Sequence, residues 1–205
     1  MAKIKLTKGE LKKQRDSLGQ FRHYLPTLLL KKQQLQMKIL EARKLIEDRQ
    51  KILHKEVEGI SRWVGLLGDE TVNLREWIIP KEVCVDKINV AGASVPVFHS
   101  IRFDQTEYDF YSAPFWIDAG IEKLRLMVTT LAEIAIIKNQ AAILERELRI
   151  TAQRVNLFEK IKIPECLDNI RVIRIYLGDQ QANAVGVSKV AKKKIEMKSL
   201  EEALA

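Results

Sequence analysis

A repeat of apolar residues every seven positions dominates the first third of the chain. Steps of seven from Leu11 to Leu67 meet an apolar side chain at eight of nine positions, and Lys32 is the exception. A second apolar row lies three positions later in the sequence. Both rows drift slowly around the helix, because 3.6 residues per turn do not divide seven evenly. Such a long stripe predicts a coiled-coil helix that needs a partner to cover its apolar side. Pro26 predicts either that the continuous helix begins near it or that the helix is kinked there.

The last third carries the same repeat from Met127 to Val155, and the pattern fades at Gly178. Two such helices joined by a different middle segment predict a mainly α fold, a long antiparallel coiled coil of the N-terminal and C-terminal helices. We predict that ten apolar positions, called the seam residues below, lie between the two helices. They are Leu28, Leu35, Ile39, Ile46, Leu53, Ile60, Ile134, Ala141, Leu148 and Val155.

The middle of the chain is rich in β-branched and aromatic residues. Two runs, at 83–90 and 95–103, flank Ala91-Gly92-Ala93-Ser94 and predict a short β-hairpin with a four-residue turn. Pro96 has no N–H to donate, so it fits best on an edge strand. The predicted regions are an N-terminal coiled-coil helix at 1–67, a middle region with the hairpin at 68–120, a C-terminal coiled-coil helix at 121–177 and a basic C-terminal segment at 178–205.

Composition excludes several classes of protein. A hydrophobic content of 46% is too high for a disordered chain, and no uninterrupted apolar run approaches the roughly 18–20 residues of a membrane span. The net charge of +8 comes from the ends, since residues 1–15 carry six basic side chains and residues 186–198 carry five, each with one acidic residue. Such lysine clusters can bind nucleic acid or anionic lipid, but solvated helix ends are the more common reason for them. Cys84 and Cys166 match no zinc or redox spacing, which favours a reducing cytosolic setting.

Motifs that carry chemistry are missing from the sequence. It contains neither a phosphate-binding P-loop nor a dinucleotide-binding Gly-x-Gly-x-x-Gly. None of the three histidines follows a glutamate by three positions, so the di-metal motif of helical bundles is absent. His54 and Glu58 are spaced for one helix face, where a surface pair is the expected reading. We therefore predict no catalytic, cofactor-binding or metal-binding residues.

Two motifs resemble those of one known family. Residues 89–98 read Asn-Val-Ala-Gly-Ala-Ser-Val-Pro-Val-Phe, and residues 154–164 read Arg-Val-Asn-Leu-Phe-Glu-Lys-Ile-Lys-Ile-Pro. Both are similar to motifs of the D subunits of the V-type and archaeal-type rotary ATPases, and they occur in the same order between two heptad helices. The resemblance implies partner-binding roles for the motif positions Asn89, Gly92, Pro96, Phe98, Arg154, Asn156 and Pro164.

The resemblance implies a non-catalytic central rotor shaft without a cofactor. Its expected partners are the catalytic and regulatory subunits of an ATPase head, the small F subunit of the rotor, and a connector to the membrane ring that translocates protons or sodium ions. The lysine-rich ends would meet the sleeve of the head. The chain would be cytoplasmic, a peripheral part of a membrane-bound complex without direct membrane insertion. Past Leu177 the sequence departs from the family pattern, and this departure indicates a helix break near Gly178.

Two alternatives use the same sequence features. The heptads also fit a free-standing coiled-coil scaffold or chaperone, although such a scaffold has no need of a β-hairpin with Trp77, Phe98 and Trp116 around it. The basic ends fit a helical hairpin that binds nucleic acid, for which affinity would fall steeply with salt. Neither the arginine–aromatic alternation nor the signatures of RNA-binding domains accompany those ends, so nucleic acid is the less favoured partner.

Overall fold

A computed structural model describes residues 4–65, 74–105 and 114–204. The elements are α1 (Lys8–Ser61), α2 (Leu74–Ile78), β1 (Pro80–Val90), β2 (Ala93–Phe103), α3 (Ile117–Leu157), a π-helical turn (Phe158–Lys162) and α4 (Ile163–Leu204). The predicted class is confirmed, because long N-terminal and C-terminal helices flank an antiparallel β-hairpin. The described residues divide between two compact units, which are unit A (within Met1–Leu29 and Gln153–Ala205) and unit B (within Leu30–Ala152). The four regions predicted from the sequence stay a prediction.

In unit B, α1 and α3 pack antiparallel through two apolar clusters. Ala42 clusters with Ile137 and Ala141, and Leu35 clusters with Leu144 and with residues of the hairpin. Positions further along α1 therefore meet earlier positions on α3. Small side chains at Ala42 and Ala141 leave room for the two helices to approach closely.

The hairpin of unit B packs its second strand on the helices. Ala93 and Val95 of β2 are buried in the cluster that contains Leu35 and Leu144, whereas most of β1 is exposed. The predicted four-residue turn is wrong. Val90 pairs directly with Ala93, so only Ala91 and Gly92 form the turn. Both have positive φ values, 50° and 82°, as in the tight type I′ turn that suits the twist of paired strands.

In unit A, the start of α1 packs antiparallel on α4. Leu18 shares a buried cluster with Cys166 and Ile170, and the rings of Phe21 and Phe158 lie 5.0 Å apart. Later positions of α1 again meet earlier positions of the C-terminal helices. The heptad stripe therefore continues to the N-terminal part of α1.

The helices tolerate residues that usually end them. Pro26 lies inside α1, which begins at Lys8 rather than near the proline. Gly178 lies inside α4, so the helix break indicated there is wrong. A glycine in a helix costs only about 1 kcal/mol relative to alanine. No proline follows Pro164, so α4 meets no stronger helix breaker than glycine after that position.

Among the described residues, one helical stretch, Ile117–Ser199, is long and apolar enough to cross a membrane by length and composition alone. It meets that test although scattered charged residues interrupt every apolar run. Ile137 and Ala141 within it pack against α1, as residues of a coiled-coil core do. A single helix of this kind is weak evidence for a membrane span.

Candidate interaction surfaces

The Asn-Val-Ala-Gly motif builds the hairpin turn. The Gly92 backbone N–H donates to the Asn89 side-chain Oδ1 at 2.9 Å, which holds the turn from within. A Cβ added at Gly92 would lie 3.4 Å from Lys31 Nζ of α1, and its φ of +82° already disfavours other residues. Asn89 is exposed and Gly92 lies at the tip of the hairpin. Their position gives the motif a structural role and leaves it accessible.

The outer strand of the hairpin presents apolar side chains to solvent. Val83, Val85 and Ile88 of β1 are 38%, 42% and 49% exposed. Val85 lies opposite Phe98, which is half-buried, as is Pro96 opposite Lys87. In the described structure the sheet has only two strands, so Pro96 lies on an edge strand as predicted. Val83 and Val85 lie on one face of β1, and this exposed apolar pair is suited to contact with a protein partner.

Arg125 of α3 hydrogen-bonds to residues on both sides of the hairpin, a role that was not predicted from the sequence. Its Nε donates to the Trp77 carbonyl at 2.9 Å, and its Nη2 donates to the Asp104 carbonyl at 2.7 Å. The guanidinium also lies 5.0 Å from the centre of the Phe103 ring. Lys81 at the start of β1 forms a 2.7 Å ion pair with Asp104, whose hydrogen bond and charge raise the pKa of the lysine. An arginine side chain has several N–H donors and can bind two carbonyl groups at once. The sequence does not reveal which carbonyl groups these are, because they lie 21 and 48 residues away from Arg125.

The second motif surrounds the π-helical turn in unit A. Arg154, Asn156 and Pro164 are exposed, whereas Val155 between the first two is buried. The Ile163 N–H donates to the Phe158 carbonyl, five residues back, as a π-helix requires. Pro164 has no N–H, and the wider turn before it accommodates the missing hydrogen bond. The motif therefore marks a local irregularity with polar residues beside it.

The seam residues are all at least partly buried. Leu35, Ile39, Ile60, Ile134, Ala141 and Val155 are buried, and Leu28, Ile46, Leu53 and Leu148 are half-buried. None of the ten is exposed. The heptad rows therefore identify the apolar side of each helix.

Ion pairs across unit B flank this apolar seam. Arg43 Nη2 lies 2.7 Å from Glu145 Oε1, and Arg49 Nε lies 3.1 Å from Glu133 Oε2. These pairs are partly exposed, so each contributes at most about 1 kcal/mol. These ion pairs favour one alignment of α1 with α3, because the opposite charges meet only at that alignment.

Metal-ligating side chains do not form a cluster in the described part of the chain. No group of three or more His, Cys, Asp or Glu residues there could hold a metal ion. His54 Nε2 and Glu58 Oε1 lie 3.2 Å apart on an exposed face, which is the surface pair expected from the sequence. Cys166 is buried beside Glu165, and burial, followed by the charge of this glutamate, raises the pKa of its thiol. A buried thiol with a raised pKa is a poor nucleophile.

Comparisons with known proteins identify the family. Residues 10–193 match the family model that describes the D subunit of ATP synthase. The D subunit of the V-type ATP synthase of Borreliella burgdorferi is 47% identical over 196 residues, which cover 94% of this chain and 95% of the relative. The proteins of the same name from Chlamydia pneumoniae and Chlamydia caviae are each 32% identical, over 95% and 100% of this chain and 94% and 99% of their own lengths. The chain therefore belongs to the D-subunit family of the V-type ATP synthases, a family of stalk subunits of rotary ATPases.

Proposed function

We propose that this chain is the non-catalytic central-stalk subunit of a V-type ATPase or ATP synthase. It couples ATP hydrolysis or synthesis in the catalytic head to rotation of an ion-translocating membrane ring. The observation that carries the proposal is the combination of family membership with antiparallel helix packing in both units. The proposal assigns the chain no catalytic role of its own.

The asymmetry of a helix pair explains how such a shaft transmits energy. Two antiparallel helices have no threefold symmetry, so each of three catalytic interfaces meets a different face at any rotational position. A contact shifts a conformational equilibrium only by its difference in free energy between the two states. The different faces therefore favour different states of the three interfaces. Because coupling free energies are reciprocal, a change of state in the head also favours rotation of the shaft.

The middle region is proposed as the dock for the small F subunit of the rotor and for the connector. The exposed apolar side chains of β1 support this placement. A groove of about 390 Å³ between α1 and the turn adds to it, with the 62% exposed Met37 on one wall and Asn89 and Val90 on the other. An apolar face and a neighbouring groove are typical of protein–protein interfaces.

The ends of the chain are proposed to lie against the head. Lys189, Lys193 and Lys194 near the end of α4 are exposed and lack ion pairs within the described residues. A positively charged end is attracted to acidic surfaces of a sleeve of subunits. The proposed location is cytoplasmic, with attachment to the membrane only through the ring. Proton or sodium coupling would be decided by that ring.

Affinity purification of the tagged chain from its native cells tests this proposal. Mass spectrometry should recover two large ATPase subunits together with a small companion. A second purification with the chain lacking residues 80–118 should still recover the large subunits but lose most of the small one. Recovery of nucleic acid or unrelated proteins without ATPase subunits would leave the alternative of a scaffold or nucleic-acid-binding hairpin and overturn the proposal.

A further inference from the structure

A groove in unit A is lined by arginines above an apolar floor. Arg15 of α1 and Arg171 and Arg174 of α4 line a groove of about 500 Å³. Leu18 and Ile170, both buried, form part of its floor, and the 58% exposed Ile175 also lines it. We call this feature the arginine groove. The packing of Leu18 against Ile170 brings α1 and α4 together there.

The three guanidinium groups are available to a partner. Arg15, Arg171 and Arg174 are exposed, and none forms an ion pair with an acidic side chain in the described residues. Arginines 43 and 49 in unit B, by contrast, each have a glutamate partner. A guanidinium keeps its charge at all ordinary pH values. Three such charges beside one groove repel each other and attract an anionic ligand.

The chemistry of the groove selects among anionic ligands. Guanidinium groups bind carboxylates through paired hydrogen bonds, and the apolar floor is suited to a hydrocarbon side chain. A free inorganic anion would leave that floor uncovered. Single-stranded nucleic acid is typically held by stacking of its bases on aromatic side chains, and the residues that line the groove are arginine, leucine and isoleucine.

We propose that the arginine groove binds an acidic segment of an ATPase head subunit, with an apolar side chain of that segment on the groove floor. This inference rests on the proposed function and gives that function a specific contact. Charge complementarity determines which segment binds, and the apolar contact fixes its register.

Binding of the purified catalytic head to the chain tests the inference. The double variant Arg171→Gln/Arg174→Gln should bind the head about 5- to 30-fold more weakly, since each exposed charge contact is worth roughly 0.5–1 kcal/mol. The matched control is Arg146→Gln/Arg149→Gln, which removes two arginines at the same spacing from α3. The control should bind within about 2-fold of the unmodified chain. The salt dependence of binding should also become shallower only in the groove variant.

The outcomes separate the two proposals. Failure of the unmodified chain to bind the head would overturn the proposed function itself. Binding by the unmodified chain with equal affinity for both double variants would overturn the arginine groove alone. Circular dichroism of each variant checks that the helices are intact.

Photo-crosslinking identifies the ligand directly. With p-benzoylphenylalanine in place of Ile175 in the assembled complex, mass spectrometry should find a crosslinked head peptide that contains several Asp or Glu residues and an apolar residue. A crosslink to a neutral or basic peptide, or to nucleic acid, would contradict the inference.

Discussion

Leu35 is the residue whose loss should most clearly report the packing of the hairpin on the helices. Its side chain is 0% exposed and lies in a cluster with Ala93 and Val95 of β2 and Leu144 of α3. Three elements of unit B therefore meet at one side chain. The substitution Leu35→Ala removes hydrocarbon from all three contacts without adding a polar group.

The expected cost follows from the complete burial of Leu35. Leucine-to-alanine changes in protein cores cost roughly 2–5 kcal/mol, depending on how far the neighbours relax. Ala93 and Val95 are held in the β-ladder and Leu144 in a helix, so relaxation is limited, and we expect about 3 kcal/mol. For a chain of this length that corresponds to a decrease in melting temperature of about 10 °C.

Chemical and thermal unfolding monitored by circular dichroism measure this cost. The matched control is Leu40→Ala on the same helix, because Leu40 is 65% exposed. The control should change the free energy of unfolding by less than about 0.5 kcal/mol. A double-mutant cycle of Leu35→Ala with Val95→Ala should give a coupling energy of about 1 kcal/mol, as expected for residues in contact. Equal stabilities for the Leu35 and Leu40 variants, or a coupling energy near zero, would refute the packing of the hairpin on α1.

Three further substitutions test other parts of the fold. Ile46→Asp should lower the free energy of unfolding by about 2–3 kcal/mol, because it places an unpaired charge beside the Ala42 cluster; an unchanged melting temperature would mean that the seam is misread. Gly178→Ala should raise helix stability by about 0.5–1 kcal/mol, since the added Cβ would meet no atom within 4 Å beyond its chain neighbours and the adjacent backbone of its own helix, and a loss of helical signal in circular dichroism would argue against a continuous α4. Burial raises the pKa of Cys166, so the folded chain holds this proton more tightly than the unfolded chain does. The resulting stabilisation is present below the ordinary thiol value of 9.0 and is lost as the pH rises through the folded value. The unmodified chain should therefore lose part of its stability advantage over Cys166→Ala, measured by urea unfolding, as the pH rises above 9.0. A difference in stability that stays constant with pH would contradict the raised pKa of Cys166.

The helices were predictable because their signal repeats many times. Leu35 and Ile39 lie on one heptad stripe, and the residues on such a stripe face the same side whatever partner covers them. The hairpin was predictable from strand composition, but its turn length was not. Ala91 adopts a positive φ that its side chain disfavours, and the Asn89–Gly92 hydrogen bond that supports the turn is not evident from composition.

Neither the continuity of α4 nor the arginine groove could be predicted from the sequence, and the reasons differ. Gly178 has a helix-breaking tendency of only about 1 kcal/mol, which the surrounding residues outweigh. Arg171 and Arg174 share a helix face by their spacing, but Arg15 joins them only through the alignment of α1 with α4. That alignment depends on how Leu18 packs with Cys166 and Ile170, and a heptad pattern fits several alignments equally well.

Direct observation of rotation tests the central claim. The catalytic head is fixed to a surface, and a bead is attached through Lys87→Cys on the exposed strand β1, in a Cys84→Ser background, since the remaining Cys166 is buried. If the chain is the rotor shaft, the bead should turn in one direction when ATP is added and stop when ATP is removed. ATP hydrolysis by the assembled complex with a stationary bead would contradict the account.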